Sequence, residues 1–162
     1  TLPENVFSLI GDRWMLVTAG TPAHCNTMTA SWGGLGVLWG KNVATIYIRP
    51  QRYTYEFVER SDFFTLAFFG REYHKALALC GAKSGREVDK VKECGFTVET
   101  ASCGAPYFGE AQLVLVCRKL YAQDMDPASV LPTGEKSILP FYGEKDGWHR
   151  IYTGQVVEAY AR

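Results

Sequence analysis

Cys25-Asn26-Thr27-Met28-Thr29-Ala30-Ser31-Trp32-Gly33-Gly34 is the stretch on which the reading of this chain turns. Its small polar residues alternate at the period of two that a β-strand imposes on its two faces. The glycines that follow let a second backbone, or a bound molecule, come close. Two readings fit the segment alone. It is a half-buried strand with Thr and Ser on its wet face, or a strand whose amides and hydroxyls meet a ligand.

Working outward, residues 14–19 form a short apolar run stopped by Gly20-Thr21-Pro22. Residues 42–49 carry Val43, Thr45, Ile46, Tyr47 and Ile48, all good strand formers, and Pro50 ends them. Residues 63–69 are a further strand stopped by Gly70. In residues 112–123, Leu113, Leu115 and Cys117 share one face, and Val114, Val116 and Arg118 the other. Residues 151–160 read as the last strand. Three short helices fit between. Residues 51–60 bring Tyr53, Phe57 and Val58 together; 72–80 and 86–94 are each followed by a glycine, Gly81 and Gly95, suited to a left-handed cap. Strands in runs, without regular alternation with long helices, predict a mainly β fold: a barrel with a few short helices, not a doubly wound parallel sheet. Residues 1–162 read as a single domain. Residues 126–148, rich in Pro, Gly and charge, read as a surface excursion between the last two strands, and such loops often cover a site.

Composition narrows the function. Hydrophobic residues make up 47% and aromatic residues 14%, too apolar for disorder. Seventeen basic side chains balance seventeen acidic ones, which argues against a nucleic-acid or membrane footprint but leaves room for a phosphate pocket needing only one or two cations. Cys25, Cys80, Cys94, Cys103 and Cys117 form no C-x-x-C pair, so neither a zinc site nor a disulfide framework is expected. With no signal-like start, free thiols in a reducing cytoplasm are the simplest expectation. Gly34-Leu35-Gly36-Val37-Leu38-Trp39-Gly40 misses the dinucleotide fingerprint by one residue. Gly40-Lys41-Asn42 is no phosphate loop, and neither a G-x-S-x-G elbow nor an H-x-x-x-H pair occurs. Hydrolase, P-loop and metal chemistry all lose support.

Two further segments change the weight of the first: Arg49-Pro50-Gln51-Arg52-Tyr53-Thr54 and Cys80-Gly81-Ala82-Lys83-Ser84-Gly85-Arg86-Glu87-Val88-Asp89-Lys90. In order and spacing, the three together resemble the flavin reductase-like, FMN-binding split-barrel family, over nearly the whole chain. The resemblance implies a Greek-key type split β-barrel holding flavin mononucleotide (FMN). A flavin is a flat apolar body with a polar rim. The resemblance lays it along Asn26, Thr27, Met28, Thr29, Ala30, Ser31 and Trp32, where backbone and hydroxyls bond the ring edge and ribityl chain. It puts the phosphate at Arg49, Gln51, Arg52 and Thr54. There the start of a helix offers unpaired N–H groups and Arg52 a planar fork. A proline-started surface helix with solvated arginines is the alternative that the residues themselves leave open. Ser84, Gly85 and Lys90 would close the cofactor from a loop, with Lys90 neutralising phosphate. An ordinary capped surface helix fits that loop equally. His149 resembles a histidine near the flavin face, in a role with nicotinamide binding or proton supply. The pattern departs there, with Trp148 and Gln155 where acidic residues are frequent. The implied function is an oxidoreductase in which NADH or NADPH reduces flavin and electrons pass to a redox partner or acceptor. Alternatives are a flavoredoxin-like carrier that retains FMN, and a non-catalytic flavin- or haem-binding barrel. A homodimer is the implied assembly. No metal ligand set is expected.

Overall fold

Met15–Thr21 (β1) and His24–Ala30 (β2) make an antiparallel hairpin in which Thr18 lies opposite Thr27, in a computed structural model that describes residues 5–143 and 147–162. Gly33–Leu38 (β3) and Lys41–Ile48 (β4) make a second hairpin, turned through Trp39 and Gly40, both at positive φ. That two-residue turn matches the right-handed twist of its strands. It also accounts for the near-fingerprint at 34–40, which is a hairpin and not a phosphate-binding loop. Phe63–Phe68 (β5), Leu113–Asp124 (β8) and Arg150–Ala161 (β9) complete one antiparallel sheet in the order β2-β1-β5-β8-β9-β4-β3. Val98–Thr100 (β6) and Pro106–Phe108 (β7) form a separate small ribbon.

The strand order forces the sheet to curl. β2 and β3 stand at opposite ends of seven strands, about 29 Å apart if the sheet were flat at ~4.8 Å per strand. Only Ser31 and Trp32 separate them in the chain, and three residue steps reach about 11 Å. The sheet therefore wraps on itself, and among the described residues no ladder joins β2 to β3. The result is a split barrel of mainly β structure, as expected.

Alternation along the strands sorts side chains into two cores. Met15, Val17, Met28, Ala44, Ile46, Phe64, Leu66 and Tyr152 fill the barrel interior. Leu16, Ala67, Val114 and Val116 point outward and are covered by Leu77, Cys80, Phe96 and Phe108. The covering residues belong to His74–Ala82 (α3), the ribbon, and the segment after Lys90–Cys94 (α4). Val6–Gly11 (α1) leans on β3, and Tyr53–Arg60 (α2) buries Thr54, Phe57 and Val58 against β1 and β2.

Several local expectations shift. Gly81 lies inside α3, which runs to Ala82, so it is no left-handed cap. Gly95, at φ +67°, is one. The expected helix 86–94 begins only at Lys90, because the Asp89 side chain caps it by accepting from Lys92 N. Residues 84–88 turn instead, with Glu87 N and Val88 N both donating to Ser84 O. The excursion at 126–148 contains a short helix, Glu135–Ile138 (α5), between single turns at Pro127–Ser129 and Leu139–Phe141; its residues 144–146 fall outside the described residues.

Candidate functional site

The edge strand β2 is where the predicted residues meet. Asn26, Met28 and Ala30 point to the barrel side, and Thr27 and Thr29 to the α3 side. The Thr27 hydroxyl bonds Val17 O at 3.1 Å and Thr18 Oγ1 at 2.9 Å. Its side chain is thus spent on the hairpin, which corrects the expectation of a hydroxyl offered to a ligand. Thr29 Oγ1 donates to Leu77 O and ties the strand to α3.

Of the cavities along this strand, two share Met28 and Arg52; a third, of about 500 Å³, opens beside Cys25, Asn26 and Thr27, between Tyr53 and residues 85–91. The first, about 210 Å³, is walled by Met28, Thr29, Ala30, Ser31 and Trp32. Tyr47, Arg49, Gly81 and His149 face it from the other side. The second, about 200 Å³, has Asn26, Gln51, Arg52 and Thr54 on one wall and Ser84, Gly85 and Lys90 on the other. Apart from Thr27, which lines the third, every residue that the resemblance assigns to the site lines one of these two. Ser31 and Trp32 lie past the end of β2, in the crossing to β3.

Two half-buried or buried cations, Arg52 and Lys90, meet at the second cavity, whose lining also includes Lys83 and one carboxylate, Glu87. Asn26 Nδ2 donates to Thr54 Oγ1 at 2.8 Å, which fixes both side chains. Arg52 is half-buried; its Nη1 donates to Gly81 O at 3.2 Å, and among the described residues it meets no carboxylate. Burial lowers its pKa. Lys90 is 5% exposed, and its Nζ donates to Thr27 O at 2.7 Å and Cys80 O at 2.8 Å. Burial first, and then the repulsion of Arg52 against the opposing pull of Cys80, bring Lys90 down to about 8. Two of its three donors are engaged, so it is a strut of the wall as much as a cation for a ligand. Gly85 presses on the opposite wall, where an added Cβ would collide with Asn26 Oδ1.

Aromatic rings from the excursion pack against three residues that line the first cavity, Trp32, Arg49 and His149. Phe141 meets Trp32 edge-on with centroids 5.1 Å apart. Tyr142 stacks flat on Trp148 at 3.9 Å, and its hydroxyl lies 2.6 Å from His149 Nδ1. Arg49 Nη2 donates to Phe141 O at 2.7 Å, while its guanidinium sits 4.9 Å from the Tyr142 ring. His149 is buried, and burial together with Arg49 pushes it down to about 4. At neutral pH it is an uncharged imidazole. The role expected of His149, in nicotinamide binding or proton supply, would fall to a ring that is neutral at rest. Phe141, Tyr142, Tyr47 and Gly81 were not anticipated. The one signal for the first two was the length of the excursion.

A family model described as the flavin reductase like domain matches residues 7–162. The chain belongs to the flavin reductase-like family. Solved structures of similar fold include flavoredoxin from Methanosarcina acetivorans, at 20% identity and TM-score 0.71, over 93% of this chain and 68% of that one. An FMN-binding protein from Thermus thermophilus with bound p-hydroxybenzaldehyde matches at 19% and 0.73, over 100% and 78% of the two chains. A Streptomyces globisporus NADH:FAD oxidoreductase in complex with NAD and FAD fragments matches at 17% and 0.67, over 92% and 74%. At these identities the likeness is one of fold. No curated protein matches the chain. Among the described residues no helix is long and apolar enough to cross a membrane.

Proposed function

We propose that this flavin reductase-like chain binds FMN across the two cavities and uses it to move electrons from NADH or NADPH to an acceptor. The observation that carries the reading is the pair Arg52 and Lys90. Two poorly solvated cations converge on one small cavity beside small hydroxyls and amides; Glu87 also lines it, but among the described residues neither cation is ion-paired to a carboxylate. A phosphate dianion satisfies that donor set, since buried cations persist when an anion or strong acceptors meet them. The first cavity suits the flat end of the ligand: backbone and small side chains of β2 along a rim, with Met28, Trp32 and Tyr47 as apolar contacts.

When bound, the flavin supplies hydride and electron transfer, chemistry that no side chain here supplies. The chain's own part is to hold and shield. Arg52, Thr54, Ser84 and the third donor of Lys90 anchor the phosphate end. Phe141, Tyr142 and Trp148, packed on Trp32, Arg49 and His149, would shield that side of the site from water, and neutral His149 would offer a hydrogen-bonding nitrogen to a nicotinamide amide. The tether from Arg49 to Phe141 O favours a second reading, a flavoredoxin-like carrier in which the tethered excursion retains the cofactor. We also infer a homodimer. An apolar groove of about 770 Å³ between α1 and β3 includes Phe7, 88% exposed, and shares Trp32 and Tyr47 with the first cavity. The free cysteines fit a cytoplasmic setting.

The test is a visible spectrum with and without FMN, followed by anaerobic addition of NADH and NADPH. A retained flavin band near ~450 nm that bleaches on addition supports the proposal. Steady turnover of free flavin selects the reductase, and bleaching without turnover selects the carrier. A chain that leaves added FMN entirely in the filtrate refutes both.

A further inference from the structure

Cys80, in α3, and Cys94, the last residue of α4, place their sulfurs 3.7 Å apart. Both are free thiols. The residues between them form the loop that carries Ser84, Gly85 and Lys90, one whole wall of the second cavity. Lys90 opens α4 and holds Cys80 O, so the contact between the helices and the cavity wall are one piece of structure.

We propose that Cys80 and Cys94 form a reversible disulfide that lowers the affinity of the second cavity for the phosphate end of a flavin nucleotide. The affinity part rests on the flavin reading above. The oxidant is hydrogen peroxide. Cys94 is half-buried and Cys80 fully buried, so Cys94 meets peroxide first. Its thiolate sulfur takes one peroxide oxygen, the O–O bond breaks, and a sulfenic acid and hydroxide result. Cys80 sulfur then attacks Cys94 sulfur; the S–S bond forms, the S–O bond breaks, and the hydroxyl leaves as water with the Cys80 proton. Two thiols and one peroxide become one disulfide and two waters, with two electrons passing from sulfur to oxygen. Burial, reinforced by Cys94 and opposed by Lys90, pushes the Cys80 thiol up to about 12, so the second step is slow and speeds up with pH.

The bond reshapes the wall because disulfide sulfurs stand ~2.05 Å apart, well inside the present separation. Closing that gap draws α4 toward α3 and moves Lys90 against its two carbonyl partners. The loop has little slack to absorb this, since Gly85 already abuts Asn26 Oδ1 and Tyr53.

The experiment treats the chain with hydrogen peroxide and cleaves it, without reductant, at Lys, Arg and Glu. The expected product is peptide 76–83 joined to peptide 94–99, two hydrogens lighter than their sum and separated by dithiothreitol. FMN binding, read by quenching of its fluorescence, is expected to weaken by about fivefold in the oxidised chain, the low end of ordinary coupling between sites. Reductant restores it, and Cys94→Ser or Cys94→Ala shows neither the linked peptide nor the peroxide effect. Oxidation of Cys94 to sulfinic acid without the linked peptide overturns the pair. A linked peptide with unaltered FMN affinity overturns the control of binding. A reduced chain that never binds FMN removes the flavin reading and the affinity claim with it, while the mass result still decides the disulfide.

Discussion

The Tyr142 hydroxyl lies 2.6 Å from His149 Nδ1, and this pair joins the end of the excursion to the start of β9. Tyr142 also lies beneath the Arg49 guanidinium, so a ring, a phenol and a cation share one corner. Burial raises the Tyr142 phenol above its ordinary value despite Arg49, and it lowers the His149 imidazole to about 4. The corner is built for neutral groups next to one permanent cation.

That arrangement predicts an acid-sensitive fold. An unfolded histidine takes its proton near pH 6.5, whereas His149 in the fold resists until about 4. Between those values the unfolded state binds more protons, so stability falls as pH falls through this window and is fully present above it. The loss amounts to at most about 3 kcal/mol. Urea unfolding at pH 7 and pH 4.5 measures it, and His149→Gln is expected to flatten this part of the profile. An equal slope in the variant assigns the acid loss elsewhere.

Arg52→Ala is expected to weaken FMN binding by about 1.5–3 kcal/mol, the usual worth of a hydrogen bond to a charged group. The folded chain gives up little, since Arg52 contributes a single bond of 3.2 Å to Gly81 O. Equilibrium titration of FMN, with thermal unfolding in parallel, separates binding from stability. An unchanged dissociation constant places the phosphate elsewhere.

What was legible in the sequence follows from the physics of each signal. The strands at β1, β4, β5, β8 and β9 carry β-branched and aromatic residues in runs, and each was found within a few residues. β3 carries three glycines and was not picked out as a strand, yet Gly33 is needed because a Cβ there would meet Met15 Cε at 2.9 Å and Thr45 O at 3.0 Å. Its strand character comes from pairing with β4, a tertiary cause with no local trace. β6 and β7, three residues each, are too short for any period to register. The family motifs marked the walls of both cavities because those walls are contiguous in sequence. The aromatic packing of the excursion was not legible. Phe141 and Tyr142 reach the site only through long-range contacts with Trp32, Arg49 and His149. Burial of Lys90 was equally hidden, since a lysine at the start of a short helix is most often solvated.

Lys90 supplies a pH dependence of the opposite kind. With its pKa brought to about 8 in the free chain, it is part neutral in mild alkali. A phosphate beside it favours the ammonium and raises that value, so binding takes up a proton near pH 8. FMN affinity is therefore expected to fall as pH rises from 7 to 9, by up to about tenfold. Titration calorimetry in buffers of differing ionisation heat counts the proton directly. Zero uptake at pH 8 means that the third donor of Lys90 does not reach the ligand.

Gly85→Ala tests the wall itself. A Cβ at this position would collide with Asn26 Oδ1 and come within 3.0 Å of Tyr53 Cδ2. Asn26 cannot swing away freely, because it is buried and its Nδ2 is held by Thr54 Oγ1. The added methyl must therefore break that bond or push residues 84–86 outward. Overpacking of this kind costs about 1–3 kcal/mol. The cost divides between fold and site. Thermal unfolding of the free chain reads the first part. The FMN dissociation constant reads the second, and it is expected to rise more than for Gly34→Ala, where a Cβ meets nothing within 4 Å. If both variants bind FMN as the parent does, the 84–86 loop yields without consequence and forms no part of the phosphate wall.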